Sequence, residues 1–308
     1  MSNLGRGAGW NKALVNYAKT VDPKRSLDPS VLVACDEKTI TIRDGYPKAK
    51  YHYLVLPRIP FQLEKAAAVR DQVHQDEQQG SSKETLRVSG GRLSLGPSKS
   101  DRIPPFHLES LESVLASPHC EQVFSALRRS RDVAVDLMRS EMVKDRQDGR
   151  SWDIMSGFHA IPSMEHVHLH IISNDLVSEK LKNKKHYNSF RPDLGFWLPF
   201  EEVESYVHQG LKKLPKGKKE YESLLKSPLV SFRDGSVHSN LPGLKAHLLS
   251  CWEGEMSKAS GGPGSSPPPS SSSTPPQPRQ AGDQSRLKRK SSQATSESED
   301  EVVLRLKR

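Results

Sequence analysis

The chain has 308 residues and a formal net charge of +9, which leaves room for one sizeable domain plus a smaller module or tail and favours a polyanionic partner. Its three cysteines, Cys35, Cys120 and Cys251, are too few for a disulfide framework and favour a reducing compartment. The sequence has no apolar segment of the kind that directs secretion and no apolar run of about 18 residues. We therefore expect a soluble, intracellular protein with no membrane partner.

The first third of the chain predicts a short helix and three strands. Apolar residues at helical spacing predict a helix over residues 10–18, and residues 19–29 are expected to be irregular. Two β-branched runs, at residues 31–36 and 39–44, predict a hairpin. A turn with Gly and Pro then leads to a buried strand at residues 51–56.

The middle third predicts helices around a flexible segment. Residues 61–75 look helical, whereas residues 76–105 are rich in Gly, Ser, Gln and charge and are expected to form a flexible insertion. Residues 108–143 return to a helical pattern, and residues 152–160 predict a strand. The apolar stripe of that helical pattern consists of Val123, Leu127, Val133, Ala134, Leu137, Met138 and Met142.

Residues 166–172, HVHLHII, carry the most specific pattern of the chain. Alternation of histidine with aliphatic residues predicts a strand that turns His166, His168 and His170 to one face, about 7 Å apart. Such a row suits a metal or a phosphate. Because ligands at alternate positions of one strand fan out, and no carboxylate or cysteine follows nearby, a phosphate is the favoured interpretation.

The segment after the histidines is basic. Lys182, Lys184 and Lys185 are interleaved with Asn183 and run directly into His186 and Tyr187. A lysine run is usually a solvated face, but this interleaving suits a groove that follows a phosphate backbone. Residues 196–213 predict a further helix.

Ser231, Asp234, His247 and Cys251 have the spacing of a zinc finger with two cysteines and two histidines. Serine is a poor zinc ligand, so Asp234, His247 and Cys251 are the candidate metal ligands and would leave one position open. The spacing therefore predicts the shape of a finger and leaves its zinc content undecided.

The C-terminal residues 256–308 are rich in Ser, Pro, Gly and Gln and are expected to be disordered. Within them, residues 286–290, RLKRK, are a candidate nuclear localisation signal. An acidic run followed by aliphatic residues at 297–304 is a candidate edge strand for a protein partner.

The alternating histidines resemble the histidine-triad superfamily of nucleotide hydrolases and transferases. Three more blocks make the chain similar to the aprataxin family, the DNA-adenylate hydrolase branch. These are residues 46–57 with YPKA and LVLP, residues 158–164 with FHAIPSM, and residues 181–190 with LKNKKH and NSF. The degenerate finger stands where that family has its finger.

The resemblance implies an α+β fold, with helices packed on an antiparallel sheet. It divides the chain into a histidine-triad catalytic domain at residues 1–190, with the insertion at 76–105, and a small zinc-finger-like DNA-binding module at residues 191–255. The disordered tail follows at residues 256–308.

The resemblance also implies an activity: removal of AMP from 5′-adenylated DNA or RNA–DNA ends left by abortive ligation, in the nucleus, with no cofactor needed for catalysis. His168 would be the nucleophile and would carry AMP as a covalent intermediate. The remaining implied roles are His166 and His170 as orienting and charge-stabilising groups, His159 at the departing DNA phosphate, Ser163 at a phosphate oxygen, Asp44 at the ribose, His52 in the nucleotide pocket, Lys182, Lys184 and Lys185 on the DNA strand, and Trp10 at the terminal base pair.

Three of these roles have simpler structural alternatives: Asp44 can cap a turn, His52 can be a packing residue, and Trp10 can belong to the core. The sequence also leaves two alternative functions open. One is a hydrolase of small nucleotides, such as phosphoramidates or dinucleoside polyphosphates, against which the lysines and the finger argue. The other is a DNA-binding protein without activity, against which the complete histidine set argues.

Overall fold

Antiparallel pairing of six strands builds the main sheet, in the order β1-β2-β3-β7-β6-β8. The computed structural model describes residues 10–64, 101–145 and 152–259, which all lie in one compact unit, Met1–Gly262. The strands are β1 (Leu32–Cys35), β2 (Thr39–Arg43), β3 (His52–Pro57), β4 (Phe61–Gln62), β5 (Arg102–Ile103), β6 (Ile154–His159), β7 (Leu169–Ser173), β8 (Trp197–Pro199), β9 (Leu229–Val230) and β10 (Val237–His238).

Helices cover both faces of this sheet. They are α1 (Ala13–Ala18), α2 (Pro23–Ser26), α3 (Leu111–Ala116), α4 (Cys120–Asp145), α5 (Lys184–Phe190), α6 (Phe200–His208), α7 (Lys218–Leu224) and α8 (Leu241–Ala259), with 3-10 helices at Trp10–Lys12 and Pro105–Leu108. Within the described ranges, no helix is both long and apolar enough to cross a bilayer. The expected α+β architecture and the hairpin of β1 and β2 are confirmed.

The long helix α4 packs on one face of the sheet. Val123, Leu127 and Met138 are fully buried against the aliphatic side chains of β3 and β7. Two members of the predicted apolar stripe do not take part, because Val133 is 51% and Leu137 is 38% exposed. The stripe is therefore narrower than predicted, as a helix that rests on one sheet face buries a single side.

The opposite face carries two smaller clusters. Leu14 of α1 packs on Leu54 and its neighbours in β2 and β3. Leu244 and Leu248 of α8 join Ile172 of β7 in the second cluster. Side chains alternate along a strand, so His170 faces the same side as Ile172 and lies between these two clusters.

Gly157 of β6 keeps this region closely packed. It pairs with His170 across the sheet, and a Cβ at this position would lie 2.5 Å from the carbonyl oxygen of Leu198 and 2.8 Å from the Trp197 ring. A side chain is therefore excluded here, and Trp197 can lie against the histidine face.

The helix predicted at residues 61–75 is wrong at its start, and the insertion predicted at residues 76–105 is wrong at its end. Phe61–Gln62 is a strand that pairs with Arg102–Ile103, at the end of the predicted insertion, because Phe61 and Ile103 both bury their side chains in the core. Residues 65–100, which include most of both predicted segments, lie outside the described residues.

Two further boundaries differ from the sequence prediction. Residues 197–199 form β8 rather than the start of a helix, because they extend the sheet beside β6, and α6 ends at His208. Within the segment expected to be irregular, Pro23–Ser26 forms a single helical turn, and the NH of Arg25 donates to the side chain of the capping residue Asp22. The predicted tail beyond residue 259 lies outside the described residues.

Candidate active site

The loop before β7 sets the direction of the first two histidines. His166 has φ of +90°, a backbone conformation that residues with a side chain rarely adopt. Backbone hydrogen bonds hold it there: the NH of His166 donates to Glu109 O at 3.0 Å and that of Val167 to Leu108 O at 2.7 Å. The prediction that one strand runs through all three histidines is therefore wrong at its start, since β7 begins only at Leu169.

The carbonyl group of His166 fixes the tautomer of His168. The two are joined by a 2.8 Å hydrogen bond between His168 Nδ1 and His166 O. A carbonyl oxygen can only accept, so Nδ1 carries the proton and Nε2 of His168 keeps its lone pair. His166 is oriented in the same way, because its Nε2 donates to Pro57 O at 2.7 Å.

His52 connects His170 to a carboxylate. Its Nε2 lies 2.9 Å from His170 Nδ1, and its Nδ1 lies 3.2 Å from Asp44 Oδ2. The other oxygen of Asp44 accepts the NH of Tyr46 at 2.7 Å and so closes the turn after β2. Asp44 therefore does close a turn, and His52 is buried. The ribose contact of Asp44 and the nucleotide contact of His52 stay predictions.

Two ring nitrogens in this cluster have no partner among the described residues: Nε2 of His159 and Nε2 of His170 are buried without a hydrogen bond. The two rings lie 4.5 Å apart between centroids, and the His168 ring lies 4.8 Å from that of His170. The distance between the His168 and His170 rings is shorter than the 7 Å expected, because His168 lies just before the first residue of β7. Buried polar atoms without partners are rare in folded proteins, so this pair points to a ligand.

Aromatic side chains enclose the unpartnered nitrogens. The Phe190 ring packs edge-on against His159 at 4.5 Å and against His170 at 5.2 Å, and Trp197 lies 6.0 Å from His170. The family resemblance included Phe190 in a matching block but implied no role for it. A small cavity also opens between His159 and His168.

Burial keeps these imidazoles neutral. It lowers the pKa of His52 and of His166 to about 4. It also lowers the pKa of His168, and holds the pKa of His159 and of His170 well below the ordinary value. In the free protein the cluster therefore offers lone pairs and neutral N–H groups at neutral pH.

Lys48 is a cation that sequence reasoning missed. It follows the turn that Asp44 closes, and its positive charge helps lower the pKa of His52, His159 and His170. Burial in turn lowers the pKa of Lys48. The YPKA block contained the signal, since a lysine beside a histidine-rich pocket suits an anionic ligand.

The remaining predicted site residues are Ser163, the three lysines and Trp10. Ser163 is exposed in the loop between β6 and β7, and its predicted phosphate contact stays a prediction. Lys182, Lys184 and Lys185 are exposed at the start of α5, where Asn183 caps the helix. Trp10 begins the first 3-10 helix, and its side chain lies outside the described part of the structure.

The three candidate metal ligands do converge. Their donor atoms, one each from Asp234, His247 and Cys251, all lie within 4.8 Å of one another. Nε2 of His247 is 3.2 Å from Asp234 Oδ1 and 3.4 Å from Cys251 Sγ. The β9–β10 hairpin supplies the aspartate side of the cluster, and α8 supplies the histidine and the cysteine.

These distances fit a zinc ion. Zinc bonds of about 2.0–2.3 Å, tetrahedrally arranged, place their ligand atoms roughly 3.3–3.6 Å apart. Asp234, His247 and Cys251 would hold the metal, which when bound would tie the β9–β10 hairpin to α8. His238 also lies nearby, its ring 4.7 Å from that of His247, and sequence spacing did not reveal it.

The buried histidines predict acid-sensitive stability. Below pH 6.5 the unfolded chain takes up protons on His52 and His166, while the folded chain does so only near pH 4. The stabilisation that comes from keeping these two histidines neutral should therefore be complete above pH 6.5. As the pH drops from 6.5 to 4, the free energy of unfolding should fall by about 1.4 kcal/mol per pH unit for each of them. Urea denaturation across this range measures the slope, which should be shallower for His52→Gln and unchanged for the exposed control His208→Gln. Equal slopes for the native chain and His52→Gln would contradict the burial argument.

Two family models match the chain. The "scavenger mRNA decapping enzyme C-term binding" model covers residues 103–186 and therefore spans the histidine cluster. The "C2HE / C2H2 / C2HC zinc-binding finger" model covers residues 193–254 and spans the metal-ligand candidates. The two matched ranges are separated by residues 187–192.

Several curated relatives carry the aprataxin name. The chain is 32% identical to aprataxin of Danio rerio over 222 residues, which are 72% of this chain and 49% of that protein. It is 31% identical to aprataxin of Gallus gallus over 229 residues, 73% of this chain and 52% of that protein. An aprataxin-like protein of Saccharomyces cerevisiae is 29% identical over 194 residues, 63% of this chain and 74% of that protein. The chain thus spans about half the length of the two vertebrate proteins.

Solved structures share the fold. The crystal structure of the aprataxin ortholog Hnt3 in complex with DNA superposes with a TM-score of 0.50 at 22% identity, covering 80% of this chain and 96% of that one. Hnt3 in complex with DNA and guanosine gives a TM-score of 0.51 at 21% identity, covering 80% and 98%. Together with the histidine geometry and the sequence identities, these findings show that the chain belongs to the aprataxin family of histidine-triad proteins.

Proposed function

We propose that the protein is a DNA-repair hydrolase that removes AMP from 5′-adenylated DNA or RNA–DNA ends. The observation that carries the proposal is the pair of buried, unpartnered nitrogens on His159 and His170, beside the free lone pair of His168. A phosphate that reaches these two rings would give both nitrogens a partner and bring its phosphorus to the nucleophile. The names of the relatives, and the DNA bound to the Hnt3 structures, support a nucleic-acid end as the source of that phosphate.

The proposed reaction has two steps. Nε2 of His168 forms a bond to the AMP phosphorus, and the bond from that phosphorus to the 5′-phosphate oxygen of DNA breaks, which releases the DNA end with its phosphate. Water then attacks the phosphorus, the bond to His168 breaks, and AMP leaves. Nδ1 of His168 keeps its proton throughout and donates a hydrogen bond to the carbonyl oxygen of His166, which would stabilise the positive charge on the adenylated ring.

The neighbouring histidines would stabilise the developing charge. When a phosphate enters, His170 can take up a proton, and the resulting charge is balanced through His52 by Asp44. His159 would face the departing DNA phosphate, and Lys48 adds a positive field to the pocket. Asp44 therefore acts through His52 in this scheme, in addition to the ribose contact that the family resemblance implied.

The lysines would guide the strand towards this pocket. Helix α5 has seven residues, about 10 Å of rise. Its first turn exposes Lys184 and Lys185, and its last residue, Phe190, contacts His159 and His170. A strand that follows the lysines would thus bring its 5′ end to the histidines. Nuclear localisation and a protein partner for the tail belong to the same proposal and rest on residues outside the described part of the structure.

The first test is the nucleophile. His168→Ala should lower single-turnover release of AMP from a 5′-adenylated nicked duplex by about 10³-fold or more, because no other described imidazole has a lone pair in the same position. The exposed His208→Ala is the control and should react at the native rate. If His168→Ala kept the native rate, the assignment would fail, and faster turnover of diadenosine polyphosphate than of adenylated DNA would instead favour a small-molecule hydrolase.

The second test is the lysine surface. The double change of Lys182 and Lys185 to Gln should weaken binding to nicked duplex and reduce the slope of log K against log salt by about 0.9 for each phosphate that the two side chains neutralise in the native protein. This pair leaves Lys184 in place, because its Nζ also donates to the backbone oxygen of Lys226. The charge-matched control changes Lys24 and Lys144 to Gln, two exposed lysines outside residues 182–255. An unchanged salt slope in the first variant would exclude these two lysines from the DNA interface.

A further inference from the structure

One side of helix α5 binds the backbone of the C-terminal module. Residues 184, 187, 188 and 191 follow the i, i+3, i+4, i+7 spacing that places side chains on one face of a helix. Together they donate to carbonyl oxygens of residues 225–230, the segment that ends in β9. The bonds run from Lys184 Nζ to Lys226 O (3.0 Å), from Tyr187 Oη to Val230 O (2.9 Å), from Asn188 Nδ2 to Leu225 O (3.1 Å) and Ser227 O (2.8 Å), and from Arg191 Nη1 to Pro228 O (3.3 Å).

Asn188 makes the central pair of these contacts. Its side chain is fully buried, and its amide nitrogen donates to the carbonyl oxygens of both Leu225 and Ser227. An amide nitrogen has two N–H groups, so both are used on the module. Loss of this side chain would remove a partner from two carbonyl oxygens at once, which is a larger cost than the loss of a surface contact. Asn188 therefore fixes the last turn of α5 to the 225–230 segment.

The two residues after Asn188 contact the histidine cluster. The Phe190 ring packs edge-on against the His159 ring at 4.5 Å between centroids. The His159 ring also hydrogen-bonds to the backbone of Ser189, and this bond raises the pKa of His159 against the larger lowering by burial. A hydrogen bond that favours the protonated ring is one in which the ring donates, so the acceptor is the carbonyl oxygen of Ser189.

This bond fixes the tautomer of His159. Among the described residues, Nε2 of His159 has no partner, so the donor to Ser189 is Nδ1. In the neutral ring Nδ1 therefore carries the proton and Nε2 keeps its lone pair. When a phosphate enters and the ring takes up a second proton, that proton goes to Nε2. The position of the Ser189 carbonyl group thus decides which nitrogen of His159 meets an incoming group.

We propose that Asn188 is a positioning residue for His159. By anchoring α5 to the 225–230 segment, it holds the Ser189 carbonyl oxygen against Nδ1 of His159, so that Nε2 is the atom that meets the departing phosphate. The part that concerns the departing phosphate rests on the proposed function, whereas the tautomer of His159 does not. The histidine site then depends on the C-terminal module through contacts between protein atoms alone.

NMR of the imidazole rings in the free, full-length protein tests the tautomer. With isotope-labelled histidine, correlations between ring nitrogens and ring protons distinguish a proton on Nδ1 from one on Nε2, and His159→Gln identifies the His159 signals. Native His159 should be protonated at Nδ1, and Asn188→Ala should give a mixture of the two tautomers. His166 is the internal reference, because its Nε2 donates to Pro57 O and should stay protonated in both proteins.

Asn174→Ala is the matched control. Asn174 is also buried, its Nδ2 donates to Asp153 Oδ2 at 3.1 Å, and its Oδ1, like that of Asn188, has no partner among the described residues. Its removal therefore costs a buried amide of the same kind, through a bond that does not involve α5. The tautomer of His159 should stay native in this variant. Asn188→Ser keeps one short donor for a milder change and should shift the tautomer in the same direction as Asn188→Ala.

Single-turnover kinetics on a 5′-adenylated nicked duplex test the catalytic part. Asn188→Ala should slow AMP release at saturating DNA by about 10- to 100-fold, because a misplaced group far from the reacting atoms costs rate rather than affinity. The DNA concentration that gives half the maximal rate should change by less than about threefold, since the lysines of α5 remain. Asn188→Ser should lie between the native protein and Asn188→Ala, and Asn174→Ala should react at the native rate.

The outcomes separate the positioning role from the proposed function. A native His159 tautomer in both Asn188 variants, or an equal shift in Asn174→Ala, would overturn the positioning role. A shifted tautomer with a native rate of AMP release would overturn its part in the reaction. If the native protein released no AMP while the tautomer still shifted in Asn188→Ala, the proposed function would fail and the positioning of His159 would stand.

Discussion

The site depends on one hydrogen bond, from Nδ1 of His168 to the carbonyl oxygen of His166. It forces the proton onto Nδ1 and so leaves Nε2 as the nucleophilic atom. The bond is possible because His166 has a left-handed backbone conformation, which costs about 1–3 kcal/mol in a residue with a side chain. Backbone contacts of residues 165–167 to Asn11, Leu108 and Glu109 offset that cost. The fold therefore maintains strain at the residue where the proposed chemistry needs it.

Burial explains why the cluster can work near neutral pH. Five imidazoles lie together, and desolvation lowers the pKa of each, so they do not repel one another as cations in the free protein. A phosphate that enters the cluster raises the pKa of these imidazoles, because its negative charge favours their protonated forms. The chain from Asp44 through His52 to His170 provides a carboxylate that supports the incoming proton. The same phosphate would give partners to the two unsatisfied nitrogens.

Much of this arrangement was predictable from local pattern. The hairpin, the strand at His52–Pro57 and the aliphatic residues between the histidines follow from β-branched runs and a period of two. The left-handed turn at His166 was not predictable, because residues 105–109 impose it from a distant part of the sequence. Likewise, Phe61–Gln62 and Trp197–Pro199 pair as strands through tertiary contacts that local propensity does not report. The finger spacing correctly brought Asp234, His247 and Cys251 together but gave no sign of His238 or of Ser236.

Trapping the enzyme during turnover tests the nucleophile most directly. Adenylated DNA labelled at the AMP phosphorus is mixed with the protein, quenched under alkaline conditions that preserve a phosphorus–nitrogen bond, and the labelled peptide is sequenced. The geometry predicts that the label is bonded to Nε2 of His168, since His166 holds Nδ1 protonated. Label on His159, His166, His170 or any other residue, or an enzyme that turns over without becoming labelled, would contradict this mechanism.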